Sequence, residues 1–472
     1  MLALRLCLAL AMFLALRAGA LVASQPQADP NQALQQAVQL TREHHYAEAE
    51  SALKGVPPPS NPAQKIAFLR LKAAIASGLG HFAAAAEDMA AAAALAPEDQ
   101  GLRIAAGIAR VQEQVESHTN PAQTLKRLRS EPLSPEEAIN IRLRLAEILS
   151  GASLFPEAAS DFAAASALAP GRADLLYNFA LADFRSGELA AALKSAERAQ
   201  AIQDSASLES LIGDIQEKQG NSLAAVHSYQ TAVTLDPSEE RYRLGLALEL
   251  LRHQTFDAAL VVLNQSSTLF PNSIRVRILL GLTYYFVDRS ADAVHALLEA
   301  TTLQAEDEIA ERYLGEILLQ DASTPDPTAT AHVCKFADDH SANKTADAFC
   351  GGILLRLARD SGEEARRAEI IRRLQHAALV GPKESVARCQ LGKAFEWTEQ
   401  WRQAKPEMEA CVRLDPDSPD GHYQLSRIYR RLGLTTLANQ QTALQEAAAR
   451  RQSEESVRRT QSVTKFLVLL EH

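Results

Sequence analysis

Large aromatic side chains are scarce in this chain of 472 residues: Trp, Tyr and Phe together make up 5%. A β-rich core built on aromatic and β-branched pairs is disfavoured by that shortage. Apolar material is nonetheless ample, at 47% of residues, and runs such as Phe82–Ala94 are almost entirely small. Small side chains suit helices that pack closely. Positive charge is also short, with 48 Lys and Arg against 58 Asp and Glu for a net charge of −10. That balance argues against a general nucleic-acid binder. No CxxC or CxxCH occurs, so a thioredoxin-type redox motif and covalent haem are unsupported. GxSxG, HExxH and Gly-rich phosphate loops are missing too, and an enzyme, a bound cofactor or a small-molecule substrate is not expected.

What is present begins with a targeting signal over residues 1–23. Arg5 precedes the apolar run Leu6–Leu16, and Ala18-Gly19-Ala20 offers a small-residue cleavage site, although Arg17 interrupts the two. The run is too short to span a bilayer comfortably. Loss of residues 1–20 takes Arg5 and Arg17 with it and moves the charge from −10 to −12. Export to a periplasmic or extracellular location is the expectation, with anchoring if the signal stays uncleaved.

Two ladders of small residues run through the chain. Ala158, Ala192, Ala225, Ala259 and Ala293 are separated by 34, 33, 34 and 34 residues. Ala146, Ala180, Gly213, Ala247, Gly281 and Gly315 follow at 34, 33, 34, 34 and 34, and Gly392 and Ala404 hold the same places near the C-terminus. Pro97, Pro170, Pro237, Pro271 and Pro416 fall where each unit ends. A shared period of this length marks repeated helix pairs.

The stretch Leu211–Pro237, with Gly213, Gly220, Ala225, Tyr229, Ala232 and Pro237, resembles the tetratricopeptide repeat family, and the resemblance covers about residues 30–452. Gln216 departs from the family's aromatic position, which Tyr284, Phe395 and Tyr429 fill elsewhere. The implied fold is all-α, an α-solenoid: a right-handed superhelix of stacked antiparallel helix pairs. Physical reasoning gives the same contacts: Gly213 faces Tyr229, so a ring fills the space that a missing side chain leaves. Pro237 ends the second helix. Units begin near residues 30, 66, 100, 139, 173, 206, 240, 274, 308, 344, 385 and 419. They form an N-terminal and central array (30–320), an irregular zone with a long turn (321–384), C-terminal units (385–452) and a tail (453–472) that caps the last unit. A short helix is expected at Ala331–His340 and a shifted second helix at Glu363–Leu379.

Residues equally far from a turn face each other in an antiparallel hairpin. Cys389 and Cys411 flank the turn Thr398–Trp401, and Cys334 and Cys350 lie symmetrically about Ala342. These are two matched pairs for disulfides Cys334–Cys350 and Cys389–Cys411; buried free thiols at contact positions are the other reading. His332, Cys334 and His340 lack a fourth ligand, so no metal site is expected.

In this family the first helix of each pair lines a groove that receives peptides or partner segments. Carried over, the groove positions are Arg241, Leu244, Leu248, Arg275, Ile278, Leu282, Tyr285, Arg312 and Tyr313. Arginines flanking apolar positions suit a segment with a carboxylate or acidic side chain; packing against the neighbouring first helix is the alternative. A chaperone-binding clamp is incomplete, because Ser207 and Leu211 stand where cations belong beside Asn178. The resemblance thus implies a non-catalytic scaffold or adaptor for a protein or peptide partner. The alternative is a structural or regulatory accessory subunit of a cell-envelope complex, in secretion or polysaccharide machinery. Membrane contact is expected only through the N-terminus or the tail.

Overall fold

The computed structural model describes residues 30–304, 308–321, 325–362 and 364–454. The signal segment 1–23 and all but the first two residues of the tail 453–472 lie outside the described residues. Among those described there are helices and turns and no strand. The chain divides into two units, one ending at Ile202 and the other beginning at Gln203.

The first unit holds five helix pairs: α1 (Pro30–Arg42) with α2 (Tyr46–Leu53), α3 (Pro62–Gly78) with α4 (Phe82–Leu95), α5 (Gln100–Glu116) with α6 (Ala122–Arg129), α7 (Pro135–Gly151) with α8 (Phe155–Leu168), and α9 (Ala173–Ser186) with α10 (Leu189–Ile202). Pro62 and Pro135 open their helices where an N–H would be unpaired anyway. Asn61 caps the first of these, and Ser134 with Glu137 forms a reciprocal capping box on the second. The pair α5/α6 has only eight residues in its second helix. A fully buried carboxylate ties this weak pair to the next. Asp161 on α8 accepts from Arg129 Nη2 (2.6 Å) and Nε (3.0 Å) on α6, and from Arg142 Nη1 (2.6 Å) on α7. Burial of that charge is tolerable only because both oxygens are met by guanidinium groups.

The second unit holds seven pairs: α11 (Ala206–Lys218) with α12 (Ser222–Leu235), α13 (Glu240–Arg252) with α14 (Phe256–Leu269), α15 (Ile274–Phe286) with α16 (Ser290–Leu303), α17 (Glu308–Gln320) with α18 (Pro327–Asp339), α19 (Ala346–Ser361) with α20 (Arg367–Val380), α21 (Ser385–Trp397) with α22 (Trp401–Leu414), and α23 (Pro419–Arg431) with α24 (Thr435–Glu454). In both units successive pairs pack on one another, so each covers apolar surface its neighbour cannot bury alone.

Close approach of the paired helices follows from missing side chains. A Cβ built on Gly213 would meet the Tyr229 ring at 2.8 Å, and one on Gly245 of the next pair would meet the same ring at 3.0 Å. The ring is therefore wedged between two first helices, with its hydroxyl donating to Asp214 Oδ1 at 2.6 Å. Gly281 faces Leu297 and Gly392 faces Met408 at the same sixteen-residue offset. The ladder alanines Ala146, Ala158, Ala180, Ala192, Ala225, Ala247, Ala259, Ala293 and Ala404 are fully buried.

The irregular zone has local causes. Asp326 caps α18 by accepting from the Ala329 N–H (2.7 Å), and Pro327 follows it. The helix thus starts at Pro327, not at Ala331. Downstream, a 3-10 turn (Glu364–Arg366) precedes α20, which begins at Arg367. Gly315 has no bulky partner on α18; Phe349 of α19 fills that space instead. Both expected cysteine pairs are joined, Cys334–Cys350 between α18 and α19 and Cys389–Cys411 between α21 and α22, with Cα separations of 4.8 and 4.9 Å.

Candidate functional site

First helices in the second unit are packed against their own partner helix and against neighbouring first helices. Little of each is left for solvent. Leu244, Ile278, Leu282 and Tyr313, expected as groove residues, are 7%, 1%, 3% and 6% exposed and belong to the core. They hold pairs together and offer little surface; Leu244 lines a shallow pocket. Burial also pushes the Tyr313 hydroxyl well above its ordinary pKa. Leu248 is half-buried against the same core, and the half-buried Tyr285 donates its hydroxyl to Gln320 Oε1 (3.2 Å) on the neighbouring first helix.

The arginines fare differently. Arg241 and Arg275 are exposed and flank a shallow pocket of about 350 Å³ shared with Glu239, Glu240, Ser273 and Ile274. Arg241 donates to the Tyr242 hydroxyl (2.7 Å), and Ser273 Oγ donates to Glu240 Oε1 (2.6 Å). This surface is mixed in charge, not arginine-dominated.

Arg312 opens onto a larger trough. Four first helices, α17, α19, α21 and α23, together with the end of α24, enclose about 790 Å³. Its charged lining is Arg312 and Lys393 against Glu316, Glu384, Asp415 and Asp420. Lys393 Nζ pairs with Asp420 Oδ2 at 2.6 Å, and Glu316 accepts from Gln320 (3.1 Å). Among the described residues Arg312, Glu384 and Asp415 have no ion-pair partner. Leu319, Phe349 and Val386 supply an apolar stretch, and Gln452 of α24 stands at the rim. Disulfide-bonded Cys389 also lines the wall, so the Cys389–Cys411 bond fixes one side of the trough to α22.

Glu384 and Asp415 were not expected here. They sit in the connectors that flank α21 and α22, off the helix stripe from which groove positions are carried over. Lys393 was findable, since it extends the first-helix register into the unit beginning at Ser385.

The histidines near Cys334 are otherwise engaged. His332 Nε2 lies 2.5 Å from Glu311 Oε1, His340 stacks on Phe336 and Cys334 is in a disulfide. Among the described residues no cluster of three or more His, Cys, Asp or Glu side chains is placed to hold a metal. No described helix is long and apolar enough to cross a membrane.

An all-helical stack of antiparallel pairs with an open polar trough defines a repeat scaffold of the kind that supports protein interactions. Residues 211–273, which span most of α11–α14, match the family model of the tetratricopeptide repeat. The match covers that segment, and the paired helices before and after it repeat the same two-helix arrangement.

Solved structures with a similar fold include YrrB, described as a tetratricopeptide-repeat protein with an unusual peptide-binding site. It is 18% identical over 38% of this chain and 97% of its own, with a TM-score of 0.33. The C-terminal part of a repeat-containing protein from Cytophaga hutchinsonii is 16% identical over 60% of this chain and 99% of its own, with a TM-score of 0.42. Yeast Tom70 is 14% identical over 91% and 97%, with a TM-score of 0.34. At these identities the likeness concerns the helical fold alone. No curated protein sequence matches the chain.

Proposed function

We propose that the protein is a non-catalytic scaffold that holds an extended segment of a protein partner in the trough of its second unit. One observation carries the reading: four consecutive first helices present a continuous polar trough of about 790 Å³ that contains unpaired charges. Two lone carboxylates, Glu384 and Asp415, face it against one lone cation, Arg312. The favoured segment therefore carries basic side chains for Glu384 and Asp415 and an acidic group for Arg312. Charge reversal tests it. Glu384→Lys with Asp415→Lys, and separately Arg312→Glu, should each weaken capture of the native partner at least tenfold, and Arg275→Glu should not. Unchanged capture by both trough variants rejects the reading.

The chain acts outside the cytoplasm in this proposal. Support comes from the two joined cysteine pairs, which persist only in oxidising surroundings, and from the Arg5–Ala20 signal pattern. N-terminal sequencing of the native protein should begin just after Ala20, and the unreduced, denatured protein should show no free thiol. Four reactive thiols would end the disulfide reading and leave export resting on the signal pattern alone.

A second reading, an accessory or structural subunit of an envelope complex, draws on the outer helices. Leu223 of α12 and Val261 of α14 are 90% and 59% exposed. Assembly lost on Leu223→Asp with Val261→Asp, yet kept in the trough variants, would favour it.

A further inference from the structure

The last described helix ends beside the trough: Gln452 lines it, and Arg451 pairs with Asp417 (2.8 Å) next to its rim. The described chain therefore ends at the trough's mouth. We propose that residues 455–472 of this same chain occupy the trough and compete with the partner, an inference that rests on the trough being a peptide site.

The order of chemistries matches on both sides. In helix order from Gln452 on α24, the lining is Asp415 before α23, Glu384 and Val386 at the start of α21, Phe349 on α19, and Leu319 with Arg312 on α17. Going outward from Gln452, the chain presents Glu454 and Glu455, then Arg458 and Arg459, Lys465, the apolar run Phe466–Leu470, and Glu471. Beyond the two glutamates, the basic residues meet the two unpaired carboxylates, the apolar run meets Val386, Phe349 and Leu319, and Glu471 reaches the unpaired Arg312. Reach is sufficient. Fourteen residues separate Gln452 from Phe466; extended, they span about 46 Å. Three helix-to-helix steps from α23 to α17 need about 30 Å.

The competing seat is the outer face of α24, where Leu437 and Leu444 are 38% and 44% exposed. The pair that such a cap would cover, α23 and α24, carries Arg427, Arg430, Arg431 and Arg450. Like charges oppose that seat for Arg458 and Arg459, and the carboxylates of the trough attract the same two residues.

A zero-length carbodiimide cross-link on the full chain tests the placement. Lys465 should join Glu384 or Asp415 within one chain, as mapped by mass spectrometry of a mixture of isotope-labelled and unlabelled protein. Links from Lys465 to Glu446 on α24, links only between labelled and unlabelled chains, or no Lys465 link at all would each overturn the proposal. A second measurement uses a fluorescent peptide of residues 455–472. It should bind full-length protein carrying Arg458→Glu and Arg459→Glu about tenfold more tightly than wild type. A tether sets its local concentration on the order of 1 mM, which blocks by that factor a peptide whose own Kd is about 0.1 mM. Equal binding to both proteins would refute it. Partner capture that ignores Glu384→Lys while the intrachain link persists would sink the partner reading alone. A missing link with charge-sensitive capture would sink only the tail.

Discussion

Single positions in this protein are governed by what fits between two helix axes. Gly213 and Gly245 leave room for one shared ring, so Gly213→Ala sets a methyl 2.8 Å from Tyr229 with no free side to yield. Such overpacking costs about 1–3 kcal/mol, and a thermal melt should show it as a lower midpoint. A second residue-level rule governs the turns within pairs. Gly80, Gly187, Gly220 and Gly433 adopt left-handed backbone there, and so do Gln254 (φ 57°) and Glu399 (φ 58°). The turn bonds are the same in both types, with Gly220 N–H donating to Glu217 O and Gln254 N–H to Leu251 O. A side chain in that conformation costs about 1 kcal/mol. Gln254→Gly and Glu399→Gly should therefore raise the melting midpoint by a few degrees, and no gain would show that the turn side chains compensate. The small-residue ladders were legible in sequence because steric exclusion leaves so few choices at a contact point. Tyr229 opposite Gly213 was readable for the same reason.

At the level of one helix, legibility depends on how many neighbours it has. Pairing Cys389 with Cys411 needed only the turn and a symmetric count. The groove positions needed the rotation of a helix flanked on several sides, and there an error of one residue decides the outcome. Leu244 and Ile278 lie barely outside the solvent stripe, yet both are core. Connectors escape helix periodicity altogether, which is why Glu384 and Asp415 went unseen. Buried acids have a testable consequence within α9. Asp183 is buried with Oδ2 unbonded, and desolvation, aided by the nearby Glu188 charge, pushes its pKa up to about 6. The folded state thus holds this proton more tightly than the unfolded chain. Asp183 stabilises the fold fully below pH 4, and that contribution is lost as pH rises through 6. Wild type should lose stability relative to Asp183→Asn between pH 4 and pH 7 in denaturant titrations. Parallel curves would show that Asp183 is ionised throughout.

Taken whole, the chain has two units and puts both disulfides in the second. The bonds close loops of 16 and 22 residues, each contributing about 3 kcal/mol. Because repeat arrays are held by nearest-neighbour contacts, reductant should speed amide exchange across residues 327–414 and leave residues 30–202 unchanged. Uniform acceleration would mean that the two units unfold together. The wedged ring has a further bearing on any attempt to shorten the array. Excising residues 238–271, proline to proline, takes out one period but brings Leu279 to the place of Gly245, and a branched side chain then strikes Tyr229. Excising residues 214–247 instead leaves Leu263 and Leu279 in their own register and merely sets Gly213 where Ala247 was, a loss of one methyl. The portable cassette of this protein thus begins in mid-helix, out of step with the prolines that punctuate it.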